Sequence, residues 1–91
     1  MSVSVRIPTI LRTYTSDQSQ VSVEGTTLNE VIDSLESNYP GIKSRVVDEQ
    51  GAVRRFVNIY VAEEDVRFAS GLDTPTPEGT QISIIPAVAG G

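Results

Sequence analysis

The sequence predicts a single α+β domain in which one helix covers one face of a small β-sheet, and two observations carry this prediction. The 91-residue chain has room for one hydrophobic core. Its apolar residues alternate with polar residues near both ends, which is the period of a half-buried strand, and take helical spacing between residues 28 and 35. Two strands, one helix and then two or three strands follow one another, an order typical of α+β domains.

The N-terminal strands are predicted from two short alternating segments. VSVRI (residues 3–7) alternates apolar with polar side chains, and Pro8 removes the N–H donor that would extend the strand. The alternation returns in VSV (residues 21–23) and stops at Gly25. We expect the two strands to form a hairpin across a polar connection from residue 9 to residue 19.

The helix is predicted over TLNEVIDSLESNYPG (residues 27–41), where the apolar positions have the i, i+3, i+4, i+7 spacing of one helix face. Thr27 and Glu30 have the spacing of a capping box, in which the Thr side chain accepts from a backbone N–H and the Glu side chain reaches back to the cap residue. Pro40 disfavours helical geometry at the residue before it, and Gly41 helps the chain to turn away. The apolar stripe comprises Leu28, Val31, Ile32 and Leu35.

The second half of the chain is predicted to complete the sheet. RFVNIYV and QISIIPAV are rich in β-branched and aromatic residues, and segments containing Pro and Gly separate them. In order, we expect a helical turn at 42–47, a loop at 48–55, a strand at 55–61, a short strand at 66–68, a loop at 73–80 and a final strand at 81–88.

One face of this sheet stays uncovered when a single helix covers the other. If alternate residues from 57 to 61 and from 82 to 84 meet the helix, then Phe56, Tyr60 and Ile85 point outward. An exposed apolar patch is typical of a docking surface, whereas single exposed apolar side chains are ordinary. We therefore predict a partner docking face at these three residues, with a plain solvated surface as the alternative.

The composition disfavours several classes of partner. Seven Lys and Arg against twelve Asp and Glu give a formal net charge of −5. This charge opposes binding to nucleic acid, because such affinity rests mainly on phosphate neutralisation, and it disfavours an anionic membrane surface for the same reason. No apolar run is long enough for a membrane span, and MSVSVRIPTI (residues 1–10) lacks the basic start and apolar core of a signal peptide. We expect a cytoplasmic protein.

The chain contains neither His nor Cys. The usual general base, the thiolate nucleophile and the zinc–thiolate site are therefore missing, which excludes Ser-His-Asp and Cys-His catalysis. The acidic cluster Glu63-Glu64-Asp65 lies between two apolar runs and is interpreted as a solvated turn rather than an acid–base pair. No Gly-rich phosphate loop is present. We predict that the protein is not an enzyme and binds no cofactor or metal of its own.

The terminal Gly-Gly alone is typical of a frayed chain end. Taken with the β-β-α-β-β order and the segments IPTILR (residues 7–12), FVNIYV (residues 56–61) and IIPAVAGG (residues 84–91), it has a second interpretation. The chain resembles the ubiquitin-like sulfur-carrier proteins of the ThiS/MoaD type, most closely their CysO-like branch. This resemblance implies a β-grasp domain over residues 1–86, with a small mixed sheet and one main helix on one face, followed by a flexible tail over residues 87–91.

The resemblance also implies a role for the tail. In such carriers, an activating enzyme uses ATP and magnesium to adenylate the terminal carboxylate, and a sulfur donor converts it to a thiocarboxylate. Sulfur then passes to a biosynthetic acceptor on another enzyme; in the CysO-like branch this acceptor serves cysteine synthesis, and a zinc protease releases the product. Carried onto this sequence, Gly91 is the modified residue. The residues that enter the partner's active site are Gly90, Ala89, Val88, Ala87 and Pro86.

Two other functions remain open at this stage. The chain would act as a ubiquitin-like modifier if Gly91 formed isopeptide bonds with protein lysines. It would act as a β-grasp interaction domain if the open face bound a partner without use of the terminus. The acceptor, the pathway and the oligomeric state are not encoded in any motif of the chain.

Overall fold

The computed structural model describes residues 2–54, 57–66 and 69–86. Within these ranges, five strands form one mixed sheet in the order β2-β1-β5-β3-β4. β1 and β5 run parallel at the centre of the sheet, and the other neighbouring strands are antiparallel. The predicted α+β architecture is confirmed. The elements are β1 (Ser2–Arg6), β2 (Gln20–Glu24), α1 (Leu28–Asn38), α2 (Lys43–Val46), β3 (Val57–Val61), β4 (Glu64–Asp65) and β5 (Gln81–Pro86).

The N-terminal hairpin is confirmed, but its connection is more ordered than the sequence indicates. Val3 of β1 lies opposite Val23 of β2, and both are buried. The segment predicted as a polar connection contains a 3₁₀ helix over Thr9–Tyr14, which buries Leu11. Because the Leu11 side chain joins the core, this connection packs against the domain instead of looping freely through solvent.

The hydrogen bonds at the start of α1 differ in part from the predicted capping box. The Thr27 hydroxyl accepts from the backbone N–H of Glu30 at 3.4 Å, as predicted. The Glu30 carboxylate, however, accepts from the N–H and the hydroxyl of Thr26, at 2.9 and 2.7 Å, and not from the N–H of Thr27. Thr26 supplies two donors to one carboxylate oxygen, so the side chain reaches one residue further back than the motif predicts.

The core lies between α1 and one face of the sheet. The predicted apolar stripe of α1 is buried, and so are the alternate residues of β1, β2, β3 and β5 that face it. Full burial of one such side chain contributes roughly 1.5–3 kcal/mol to the free energy of unfolding. The predicted turn after α1 is also confirmed, because α2 buries Val46. The buried strand residues are Val3, Val5, Val21, Val23, Ile59, Val61, Ile82 and Ile84.

The short strand predicted at 66–68 lies earlier in the chain. β4 comprises Glu64 and Asp65, which pair with Val61 and Tyr60, while the buried Val66 follows the strand and residues 67–68 lie outside the described ranges. The acidic cluster is therefore a turn only in part. Glu63 lies in the exposed turn, and the two following carboxylate residues form an edge strand whose pairing outweighs the low β-propensity of acidic side chains.

Candidate functional site

The end of β5 marks the point from which the predicted tail continues. β5 is flanked by β1 and β3, and its last residue, Pro86, lies opposite Val57 of β3. Proline has no N–H, so it cannot donate to the ladder at this position. The predicted tail residues Ala87, Val88, Ala89, Gly90 and Gly91 lie outside the described residues, as does Phe56 of the predicted docking face.

Two of the three residues predicted for the open face of the sheet, Tyr60 and Ile85, lie on that face. Ile85 is 45% exposed, while Tyr60 is partly buried and paired with Ser83. Ile85 lies directly opposite Asn58, so a polar residue shares this part of the face. Tyr60 and Ile85 therefore lie on the same face, but not directly opposite each other, and their docking role stays a prediction.

A groove beside Pro86 brings in a residue that the sequence analysis missed. The groove has a volume of about 340 Å³ and lies between the 3₁₀ helix and the ends of β1 and β5. Ile10, on the 3₁₀ helix, lines the groove and is 64% exposed. The adjacent pair Ile10-Leu11 was a usable signal, because a helical turn that buries one of two neighbouring apolar residues exposes the other. The groove is also lined by Arg6, Arg12, Ile85 and Pro86.

Among the residues that the structure describes, three carboxylates have a lowered pKa, and all three serve the fold. Hydrogen bonds from backbone N–H groups are the main cause in each case: they hold the pKa of Glu30, Glu36 and Asp48 below the ordinary value of the side chain. None of the three lines the groove at Pro86. These carboxylates order the start of α1, the α1–α2 turn and the loop after α2.

The ranges that the structure describes hold no cluster of three or more acidic side chains positioned to bind a metal ion. In the same ranges, neither helix has the length and apolar character needed to cross a membrane. What the site presents is a strand end, a groove and two exposed isoleucines. This arrangement leaves exposed apolar side chains beside the end of β5.

The fold and the site define the class: a ubiquitin-like β-grasp domain with a surface beside its C-terminal strand end. The chain matches the crystal structure of the Amycolatopsis orientalis BexX/CysO complex with a TM-score of 0.92, at 49% identity over 98% of this chain and 99% of that one. The sulfur carrier protein CysO of Mycobacterium tuberculosis is 54% identical, over the full length of both proteins. Small archaeal modifier protein 3 of Haloferax volcanii is 35% identical, over 71% of this chain and 70% of that protein.

A family model agrees with these relatives. The ThiS family matches residues 5–91, which includes the predicted tail. The chain belongs to the ThiS family and is a homologue of the CysO sulfur carriers. The family and the fold that the sequence predicted are therefore confirmed.

Proposed function

We propose that this chain carries sulfur as a thiocarboxylate on the carboxyl group of Gly91. The observation that carries the proposal is the full-length identity of 54% to a sulfur carrier protein, together with a family match that extends to residue 91. The chain is then a protein co-substrate of partner enzymes and catalyses no step itself.

The proposed reaction has two steps. A carboxylate oxygen of Gly91 attacks the α-phosphorus of ATP, with magnesium held by the partner, and pyrophosphate leaves. A sulfur nucleophile then attacks the carbonyl carbon of the acyl-adenylate, and AMP leaves with the oxygen that bridged the carbon and the phosphorus. One carboxyl oxygen is thereby replaced by sulfur, and the product is the thiocarboxylate.

The geometry of the domain supports this use of the tail. Five residues follow Pro86 at the end of the central strand. Fully extended, they span roughly 17 Å, which lets Gly91 enter a partner's nucleotide site while the domain stays outside. Gly90 and Gly91 have no Cβ and accept either sign of φ, so they suit a narrow channel. Because ordering the tail costs roughly 1–2 kcal/mol per residue, contacts with the body of the domain are needed to offset it.

The proposal implies at least two protein partners: an adenylating enzyme of the ubiquitin-activating type, and an enzyme that holds the sulfur acceptor. A related CysO has been crystallised with BexX, which supports a protein partner for this chain too. We propose that the acceptor serves cysteine, cofactor or sulfur-metabolite synthesis, with a zinc protease as a further partner if the product is released from the tail by hydrolysis.

Intact-protein mass spectrometry tests the proposal. The chain is incubated with ATP, magnesium, sulfide and the adenylating enzyme encoded nearest to it, and the matched control lacks Gly91. We expect the wild-type chain to gain about 16 Da, the same nominal gain as oxidation of methionine to its sulfoxide, and the control to gain nothing. An unchanged wild-type mass, with an enzyme that releases pyrophosphate on a known carrier, contradicts the proposal.

A second candidate function is protein modification through Gly91, because a small archaeal modifier protein is 35% identical to the chain. The same acyl-adenylate would then be attacked by a lysine amine, and AMP would leave as an isopeptide bond forms. Immunoblots of cells that express a tagged chain separate the two candidates. Conjugates that disappear when Gly91 is deleted favour the modifier, whereas a single free band favours the carrier.

A further inference from the structure

The chain is poor in side chains that could react with its own activated carboxyl group. It has no Cys and no His, and six of its seven cationic residues are Arg. The remaining one, Lys43, is the single side-chain amine of the chain, and its Nζ forms an ion pair with Oδ1 of Asp33 at 2.6 Å. A thiol or a neutral amine attacks an activated acyl group, whereas a guanidinium does not, because it stays protonated in proteins. Almost all of the positive charge is therefore carried by groups that cannot take up an acyl group.

Two of these arginines lie where a nucleophile would interfere most. Arg6 and Arg12 line the groove that Pro86 also lines, and the tail continues from Pro86. Arg6 is exposed and lies opposite Ser83 of β5. The Nε of Arg12 donates to the carbonyl of Ile7 at 3.1 Å, which holds the side chain along the end of β1. The part of the chain that the structure describes places no carboxylate within ion-pair distance of either guanidinium. Both side chains therefore lie beside the start of the tail.

The tail is long enough to bring Gly91 back to this groove. Five residues follow Pro86 and span roughly 17 Å when extended, and the groove has a volume of only about 340 Å³. A short flexible link gives two groups of one chain an effective concentration on the order of millimolar. An amine in the groove would therefore compete with a sulfur donor that arrives from solution.

We propose that Arg6 and Arg12 keep the activated tail specific for its sulfur donor, because they place positive charge beside the strand end without placing a nucleophile there. The inference rests on the proposed function and concerns the fate of the acyl-adenylate once it has formed. With lysine at either position, the neutral amine attacks the carbonyl carbon of Gly91 and a C–N bond forms. The bond from that carbon to the bridging oxygen breaks, AMP leaves with the oxygen, and the amine proton passes to water. The product is a lactam that no longer accepts sulfur.

The test withholds sulfide, so that the acyl-adenylate has no sulfur acceptor. The wild-type chain, Arg6→Lys and Arg12→Lys are each incubated with ATP, magnesium and the adenylating enzyme at mildly alkaline pH, where part of the lysine amine is neutral. Both substitutions keep the positive charge. We expect intact-protein mass spectrometry to show at least about ten times as much product lighter by one water in each variant as in the wild type. Tandem mass spectrometry should place the new bond between Gly91 and the introduced lysine.

Glu24→Lys is the matched control. Glu24 is exposed and lies opposite Ser2, at the end of the sheet where β5 begins. Because β5 has six residues, this end is roughly 17 Å from Pro86 along the strands, and β2 lies two strand spacings of about 4.8 Å to the side. A lysine there is at or beyond the full extension of the tail, so we expect no lactam above the wild-type level. Hydroxylamine added to parallel samples traps the acyl-adenylate as a hydroxamate and measures how much of each variant was activated.

The outcomes separate this inference from the proposed function. If both arginine variants form the hydroxamate but no lactam, the inference is overturned while the proposed function stands. The same holds if Glu24→Lys forms as much lactam as the arginine variants, or if the wild-type chain forms it through Lys43. A wild-type chain that forms neither the hydroxamate nor, with sulfide present, the thiocarboxylate overturns both.

Discussion

Ile84 and Ile85 are neighbours in the sequence and lie on opposite faces of β5. Ile84 is 3% exposed and packs in the core beneath α1, whereas Ile85 is 45% exposed. The difference follows from the two-residue period of a strand. It shows that one strand supplies both a core side chain and an exposed side chain of the predicted docking face.

The largest expected loss of stability comes from a substitution on the sheet face that α1 covers. Ile84→Ala removes a buried side chain and leaves a cavity, so we expect the free energy of unfolding to fall by about 2–5 kcal/mol. For a domain of this size the midpoint of thermal unfolding should fall by roughly 10 °C or more. Urea and thermal denaturation followed by circular dichroism measure both. A loss below about 0.5 kcal/mol, the usual range of surface substitutions, would place Ile84 outside the core.

Gly25→Ala tests how tightly α1 is held against the sheet. A Cβ at Gly25 would meet the backbone nitrogen of Val31 at 2.7 Å and its Cγ2 at 2.8 Å, so the helix has to shift. We expect a loss of about 1–3 kcal/mol, the usual cost of overpacking, in the same denaturation experiment. Glu24→Ala, at the exposed position next to it, is the matched control. Equal stabilities for the two variants would mean that the helix moves without cost.

Acid should lower the free energy of unfolding, because three carboxylates that hold turns and the start of α1 become protonated. The pKa of Glu36 is lowered in the folded protein, mainly by the backbone N–H of Gly41 and then by that of Lys43, and Glu30 and Asp48 are lowered in the same way. A lowered pKa stabilises the fold above the unfolded-state value, about 4.3 for Glu, and this contribution is lost as the pH falls through the folded-state pKa.

Denaturation at a series of pH values measures this effect. We expect the wild-type free energy of unfolding to fall as the pH drops below about 4.3, and Glu36→Gln to fall less steeply, because one of the groups that titrates is gone. Parallel curves for the two proteins would show that the Glu36 hydrogen bonds do not favour the folded state.

Ile85→Ala is the matched partner of Ile84→Ala and should have the smallest effect on stability. Because much of the Ile85 side chain is already in water, we expect a change within about 0.5 kcal/mol. The same variant should weaken binding to the adenylating enzyme, measured by calorimetry with the intact proteins. A loss of stability equal to that of Ile84→Ala would remove the contrast between the two faces.

Much of the fold follows from the sequence because its periods are local. The stripe from Leu28 to Leu35 and the alternation around Val5 and Val21 identify α1, β1 and β2 directly. β4 was placed two residues late, since a two-residue edge strand of Glu64 and Asp65 is held by pairing with β3 and has no pattern of its own.

The candidate site is less accessible to sequence patterns. Gly91 and Gly90 are predicted as site residues from the family resemblance, and Ile85 is predicted from strand alternation. The groove at Ile10 was missed, because it forms where the 3₁₀ helix meets the ends of β1 and β5, and this contact between distant segments appears in no local pattern. Arg6 and Arg12 were counted in the net charge, which hid their concentration beside the strand end.

The most direct test of the sulfur-carrier function is the position of the added mass. Tandem mass spectrometry of the product should assign the whole gain of about 16 Da to the C-terminal fragment that ends in Gly91, which separates a thiocarboxylate from a sulfoxide at Met1, the one methionine of the chain. A gain confined to the N-terminal fragment, or a C-terminal fragment of unchanged mass, would contradict the assignment of Gly91 as the sulfur-bearing residue.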